Sequence, residues 1–309
     1  MSTGGSSSTG SSNGTVRWHQ LWDQTAAVSG RAEARWLCEE ASGCFGDEFG
    51  DVLDSVATAL SIAHLDAMLA RLHTGEPLQY VLGRWSFRRL DLLVDRRVLI
   101  PRPETELVAE HAIALICQMA SEKAERPLAV ADLGTGSGAL GLSLAAELPS
   151  GLVDVWLTDS SADALDVARA NTAGLGMKGT CVRFGLGSWY AALPEELRGA
   201  LALVVSNPPY IAHDDSNVES VVSDWEPHAA LFADDAGLAD ARAVITGSVE
   251  WLAPGGWLVL EIGAGQRAVV CELMTACGLA QIEVHRDLAG HDRIAVGRHP
   301  PLEVSGRDR

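Results

Sequence analysis

The 309-residue chain reads as an α/β protein, a doubly wound and mostly parallel sheet preceded by a small all-helical N-terminal domain. Three observations predict this. From Leu128 onward, short apolar runs alternate with helical stretches, the pattern of strands covered by helices on both faces. A glycine-rich turn follows the first of those runs at once, as at the ligand edge of a parallel sheet. Upstream of His73, apolar residues recur at three- and four-residue steps with no strand-like run.

Taken in order, residues 1–15 (MSTGGSSSTGSSNGT) offer nothing to bury and are expected to form a disordered tail. Trp18, Leu21 and Trp22 mark one helix, and Ala34, Leu37 and Cys38 mark a second, with Ser29-Gly30 and the stretch 43–50 as breaks. Leu53, Val56, Ala57, Leu60, His64, Leu65, Met68, Leu69 and Leu72 give one face of a long third helix, with His64 read as a hydrogen-bonded core residue. These elements make a helical domain over 16–73. Residues 74–103, punctuated by Pro77, Gly83, Pro101 and Pro103, hold β-rich runs at 80–82, 87–94 and 98–100 and read as a connecting hairpin. A helix at 104–120 then leads into strands at 128–133, 153–158, 180–184 and 201–206, with helices at 139–148 and 162–173 between them. A helix at 238–252, a strand at 257–262 and a helix at 266–277 follow. Runs at 281–285 and 293–296, joined through Gly290-His291, are expected to close one edge as an antiparallel hairpin. The sheet domain thus spans 104–299, and 300–309 reads as a loose tail.

Composition narrows the function. Hydrophobic residues make up 47%, yet no apolar run is long enough to span a membrane, which takes roughly 18 to 20 residues. Lys and Arg total 23 against 41 for Asp and Glu, and a formal charge of -18 repels nucleic-acid phosphates over most of the surface. The cysteines at 38, 44, 117, 181, 271 and 277 form no C-x2-C pair and have no zinc-finger histidines, so reduced thiols and no metal site are expected. The N-terminus shows neither a signal-peptide core nor the arginines of an organellar presequence, and a cytoplasmic location is expected. From Arg84 to Arg102, six arginines face only two aspartates. That local inversion reads equally as solvated strand surface or as a steering patch for a partner.

The strongest local signal is AVADLGTGSGALGLSLA at 129–145. A strand ends at Asp132, the turn carries Gly134, Thr135, Gly136, Ser137 and Gly138, and a helix begins. The spacing is G-x-G-x-G, not the dinucleotide G-x-G-x-x-G. Asp132 would repel a pyrophosphate at that helix N-terminus and attract a cofactor with a cationic amino-acid end; S-adenosyl-L-methionine fits. Asp159 ends the second strand 21 residues after Gly138, where an acid can accept both ribose hydroxyls. In FGLGSWY, Trp189 could stack on adenine and Ser188 could bond its ring nitrogen or N6 amine.

The fourth strand, LALVVS, runs into Asn207-Pro208-Pro209-Tyr210. Two prolines fix the backbone, remove two amide donors and leave carbonyls aimed at the cleft. Asn207 adds a side-chain carbonyl beside the cofactor, and Tyr210 a flat wall for a planar group. An amide or exocyclic amine nitrogen is a poor nucleophile, and two acceptors that take its hydrogens, the Asn207 side chain and the Pro208 carbonyl, orient it for methyl transfer.

The chain resembles the protein-(glutamine-N5) methyltransferases of bacterial peptide chain release factors, the PrmC or HemK family. The resemblance rests on GEPLQYVLG (75–83), VLIPRPETELV (98–108), DLGTGSG (132–138), DSSADALDVARAN (159–171) and VSNPPYI (205–211). It continues through EPHAAL (226–231), PGGWLVLEIG (254–263) and HDRIAVGR (291–298). It implies a class I S-adenosylmethionine-dependent methyltransferase fold with a seven-stranded sheet. Ahead of it would stand a helical domain that helps hold the release factor, whose Gly-Gly-Gln glutamine is the substrate. The family's cofactor loop falls on Gly134 to Gly138, its ribose acid on Asp159, its adenine-side aromatic on Trp189 and its substrate tetrapeptide on Asn207 to Tyr210. Some members carry Asp-Trp where this chain has Ser188-Trp189. A monomer that binds neither nucleic acid nor membrane is expected. The alternatives are an adenine-N6 methyltransferase of nucleic acid, which meets the same NPPY requirements, and a non-catalytic module on the same fold.

Overall fold

The computed structural model describes residues 15–122, 127–214 and 224–301, so the expected tails fall almost wholly outside the described residues. Its contacts divide the chain into two compact units between Leu82 and Gly83.

The first unit packs α1 (Trp18–Ser29), α2 (Arg31–Ser42), α3 (Asp47–Val52), α4 (Ala59–His73) and α5 (Leu78–Leu82). Trp18, Leu37, Phe49, Leu65 and Met68 lie at its centre. Four expectations are corrected here. Residues 53–57 are not helical, because they pair with the chain ahead of α1: Trp18 N donates to Ser55 O and Ala57 N to Val16 O. Helix α4 starts only after Thr58, whose side chain accepts from Ser61 N as its cap. The stretch 43–50, read as a break, holds the start of α3, and His64 is exposed rather than core. Residues 80–82, read as a β-run, are a helical turn. Pro77 O accepts from Tyr80 N and Val81 N, and the Arg71 guanidinium, held by Glu76, donates to the Tyr80 and Val81 carbonyls.

The second unit opens with a hairpin of β1 (Arg84–Phe87) and β2 (Leu90–Leu93), shorter than the 74–103 segment, and 98–100 forms no strand. Helix α6 (Pro103–Glu122) leads into β3 (Leu128–Leu133), α7 (Ala139–Glu147), β4 (Val153–Asp159), α8 (Ala162–Gly174) and β5 (Val182–Leu186). Strand β5 begins two residues later than expected because 176–181 wind into a 3-10 turn. Then follow β6 (Leu201–Ser206), the short β7 (Ile211–Ala212), α9 (His228–Leu231) and β8 (Phe232–Ala233). The chain closes with α10 (Ala239–Trp251), β9 (Leu252–Glu261), α11 (Arg267–Ala276), β10 (Ala280–Arg286) and β11 (Asp292–Arg298).

Seven strands form one sheet in the order β10-β11-β9-β6-β3-β4-β5. The five from β9 to β5 run parallel, and β11 and β10 close the edge antiparallel, as expected. Every residue of β6 is buried, as a strand covered on both faces must be. The chain proceeds from β3 outward through β4 to β5, then returns to place β6 on the other side of β3. That reversal opens a crevice at the carboxyl ends of β3 and β6, the place where open α/β sheets bind ligands.

Candidate active site

Both halves of the sequence-predicted site lie at that crevice. Leu133 pairs with Ser206, and the Ser206 hydroxyl donates to Leu133 O at 2.6 Å, which locks the last residue before Asn207 onto the strand that carries the glycine loop. Gly134, Gly136 and Gly138 have φ of 71°, 54° and 90°, the left-handed region that explains glycine at all three.

Asp132 is 1% exposed. Its Oδ2 accepts from the Thr135 hydroxyl at 2.6 Å and from Gly141 N at 2.9 Å, while Oδ1 is buried with no partner among the described residues. Burial pushes the carboxyl up to about 6 against the lowering effect of those two bonds, and nearby Asp159 adds to the rise. A buried carboxylate oxygen left bare suits an ammonium group, so the loop fits the amino-acid end of S-adenosyl-L-methionine. Asp132, Thr135 and Ser137 line a cavity of about 50 Å³, and Asn207 borders it.

A larger cavity of about 290 Å³ adjoins. Asp159 lines it, with Oδ2 accepting from Gly136 N at 3.0 Å and Oδ1 from Ser161 N at 2.9 Å. Each oxygen keeps lone-pair capacity for a ribose hydroxyl. Ser188 and Trp189 line it too, and Trp189 adopts φ 47°. A side chain at Gly134 would stand 3.3 Å from the indole, so the glycine lets the ring lie over the loop. Asp240 lines the same cavity, its carboxyl raised by burial and by Asp234 and lowered by the neighbouring Trp189. Next in sequence, the Tyr190 hydroxyl donates to Val244 O at 2.7 Å and pins the segment to α10.

The tetrapeptide divides. Asn207 borders both cavities and Pro209 the larger one. Pro208 is buried. Tyr210 lies near Glu261, and burial, together with that carboxylate's charge, raises its hydroxyl to about 12. Its backbone is clamped as well: Gln266 Nε2 donates to Tyr210 O at 3.3 Å, and a side chain at Gly237 would come within 2.3 Å of that oxygen.

Several contributors carried no signal of their own in the sequence reading. Asn171 of α8 accepts from Leu93 N at 2.7 Å and donates to Ser137 O at 2.8 Å, tying the hairpin to the glycine loop. Glu226 accepts from Ile100 N at 3.0 Å and from Arg102. Gly141, at the start of the helix after the loop, leaves no room for a side chain, since a Cβ would meet Leu157 Cδ2 at 2.1 Å.

The arginine-rich segment is largely committed internally. Arg88 makes a two-pronged pair with Glu147 at 2.6 and 2.9 Å and donates to Glu106 O, Arg84 pairs with Asp91, and Arg97 pairs with Asp95. The charge excess counted along the chain is offset by Glu147 and Glu226 from elsewhere, so Arg88 is a structural residue. Arg89 stays 79% exposed.

Comparison with known proteins agrees with this architecture. Residues 24–83 match the family described as PrmC N-terminal domain, and residues 111–225 that described as Methyltransferase small domain. The release factor glutamine methyltransferase of Burkholderia pseudomallei is 40% identical over 271 residues, covering 87% of this chain and 92% of its own. The enzyme of the same name from Escherichia coli is 34% identical over 277 residues, covering 89% and 94%. The catalytic domain of hMettl16, solved with a MAT2A 3′UTR hairpin, superposes with a TM-score of 0.53 over 74% of this chain and 79% of that one. At 16% identity it shows the fold alone.

Proposed function

The chain belongs to the release factor glutamine methyltransferase family, and we propose that Asn207 and the glycine loop carry out its reaction. The protein transfers a methyl group from S-adenosyl-L-methionine to the side-chain amide nitrogen of the Gly-Gly-Gln glutamine in peptide chain release factors. One observation carries the assignment of residues: Asn207 stands at the junction of the two cavities, one beside the bare Asp132 oxygen and one beside Asp159 and Trp189.

When bound, the cofactor supplies an electrophilic methyl on a sulfonium. Asp132 holds the ammonium, Asp159 the ribose hydroxyls, and Trp189 the adenine face, with Ser188 beside it. Asn207 Oδ1 and the Pro208 carbonyl each accept one hydrogen of the glutamine amide, and Tyr210 bounds its plane. Fixing the nitrogen within about 3 to 3.5 Å of the carbon it attacks supplies most of the acceleration. The helical unit takes part in holding the release factor. Among the described residues no helix is long and apolar enough to cross a membrane, and a cytoplasmic location fits a substrate that works on the ribosome.

The test is incubation with labelled S-adenosyl-L-methionine and a panel of purified release factors, followed by mass localisation of the methyl group. Transfer to the glutamine, lowered about 10- to 1000-fold in kcat by Asn207→Ala, is the expected result. Transfer to DNA or RNA instead, or native single-turnover rates in a folded Asn207→Ala protein, would overturn it.

A further inference from the structure

Beneath Asn207 lies a buried polar chain drawn from separate parts of the second unit. Asn207 Nδ2 donates to Thr105 Oγ1 at 3.2 Å, and Thr105 Oγ1 donates to Glu261 Oε2 at 2.6 Å. Thr105 is 3% exposed and Glu261 1% exposed. Tyr210 lies near the same carboxylate.

The order of donors matters because an asparagine amide has two ends of similar size and opposite chemistry. Rotated by half a turn, it would offer the reacting amide an NH2 group where an acceptor is needed. Packing alone distinguishes the two orientations poorly; hydrogen bonding distinguishes them well. The Thr105 hydroxyl has one proton and spends it on Glu261, so toward Asn207 it presents only lone pairs. Only the NH2 end of Asn207 can meet it, and Oδ1 is left for the substrate.

We propose that Glu261, acting through the Thr105 hydroxyl, is a positioning residue that sets the amide orientation of Asn207 so that Oδ1 faces the glutamine nitrogen. The inference rests on the reading of Asn207 as acceptor of the substrate amide hydrogens.

The chain is also sensitive to pH. Burial pushes the Glu261 carboxyl up to about 7. Thr105 on α6, Arg293 on β11 and Tyr210 lower it, and Glu104 on α6 raises it. Once protonated, Glu261 can donate to Thr105 Oγ1, which frees the threonine proton to turn toward Asn207 and favours the wrong amide orientation. The rate of the chemical step therefore falls as pH drops through about 7.

The experiment measures single-turnover methylation of a release factor at saturating S-adenosyl-L-methionine between pH 6 and 8.5. The native protein, Thr105→Val, Thr105→Ser and Glu261→Gln are compared, with cofactor affinity followed separately by calorimetry. Thr105→Val keeps the side-chain shape and should lower the rate at pH 8 by about tenfold or more, with cofactor affinity within about twofold. Thr105→Ser should restore most of the rate, and the step near pH 7 should vanish in Thr105→Val and Glu261→Gln. A Thr105→Val protein as fast as the native one, or one that keeps the step near pH 7, overturns the inference. If Thr105→Val does not fold, Thr105→Ala is read by the same criteria. Absence of glutamine methylation by the native protein would instead defeat the reading of the site itself.

Discussion

Lowering the pH from 7.5 to 5 should weaken S-adenosyl-L-methionine binding about tenfold, through Asp132 alone. Its Oδ2 is saturated by Thr135 and Gly141, its Oδ1 is bare, and burial holds the group at about 6. About 97% of such a carboxyl is ionised at pH 7.5 and about 9% at pH 5, so if only the ionised form holds the ammonium, affinity falls by about 1.4 kcal/mol. An aspartate with its ordinary value would stay ionised over that range and give no change. The sign for folding is the opposite. The folded-state value lies above the unfolded one, so the uncomplexed protein has this group's full stability below about pH 4 and loses it as pH rises through about 6. Across that window the loss is about 3 kcal/mol, and bound cofactor offsets it. Calorimetry from pH 5 to 8, in buffers of different ionisation heat, reads both quantities, and about half a proton should be released on binding at pH 6. Carrying Glu261→Gln in every arm removes the neighbouring titration. Affinity that stays flat from pH 7.5 to 5, or binding at pH 6 without proton release, would refute the assignment of the bare oxygen to the ammonium.

Asp159→Ala should weaken cofactor binding by about 1 to 3 kcal/mol through loss of charge-assisted bonds, read by calorimetry at pH 7.5. Arg88→Ala should destabilise the fold by about 3 kcal/mol in denaturant unfolding, because it strands Glu147, whose carboxyl the guanidinium holds below its usual range; Arg89→Ala should cost under about 0.5 kcal/mol. The stability that Glu147 contributes is present above the ordinary carboxylate range and is lost as pH falls below it. Gly141→Ala should disturb folding and cofactor binding together. Its Cβ would press on Leu157, which is fully buried, and shift the N–H that Asp132 uses, a cost of about 1 to 3 kcal/mol readable as a lowered midpoint.

The parallel strands were legible because burial on both faces writes them as unbroken apolar runs; LALVVS leaves no polar residue before Ser206. Errors arose where a distant partner overrode a local pattern. Leu53, Val56 and Ala57 keep helical spacing with α4, yet Val56 forms a bridge with Arg17 and Thr58 caps the helix behind them. Tyr80 and Val81 have the side chains of a strand, but Pro77 starts a turn and Arg71 caps it. The arginine count misled in the same way. Charge summed along the chain from Arg84 to Arg102 omits Glu147 and Glu226, which only folding brings there.

In the site, what the backbone carries was readable, and what side chains carry across the fold was not. The glycine loop and NPPY are contiguous, so their geometry follows from their order; Thr105 and Glu261 stand 156 residues apart, and no periodicity relates them. The signal that could have found them lay in IPRPETE, which the cofactor loop does not need and which the sequence reading took only as a mark of family. Its residues serve different partners: Ile100 N and Arg102 engage Glu226, Pro101 lines the small cavity, and Thr105 joins Asn207 to Glu261. A segment that only closed the fold could satisfy its polar groups locally. This one sends them to Glu226, Glu261 and Asn207. On the proposed reading of the site, the motif serves the amide chemistry, whereas DLGTGSG serves the cofactor.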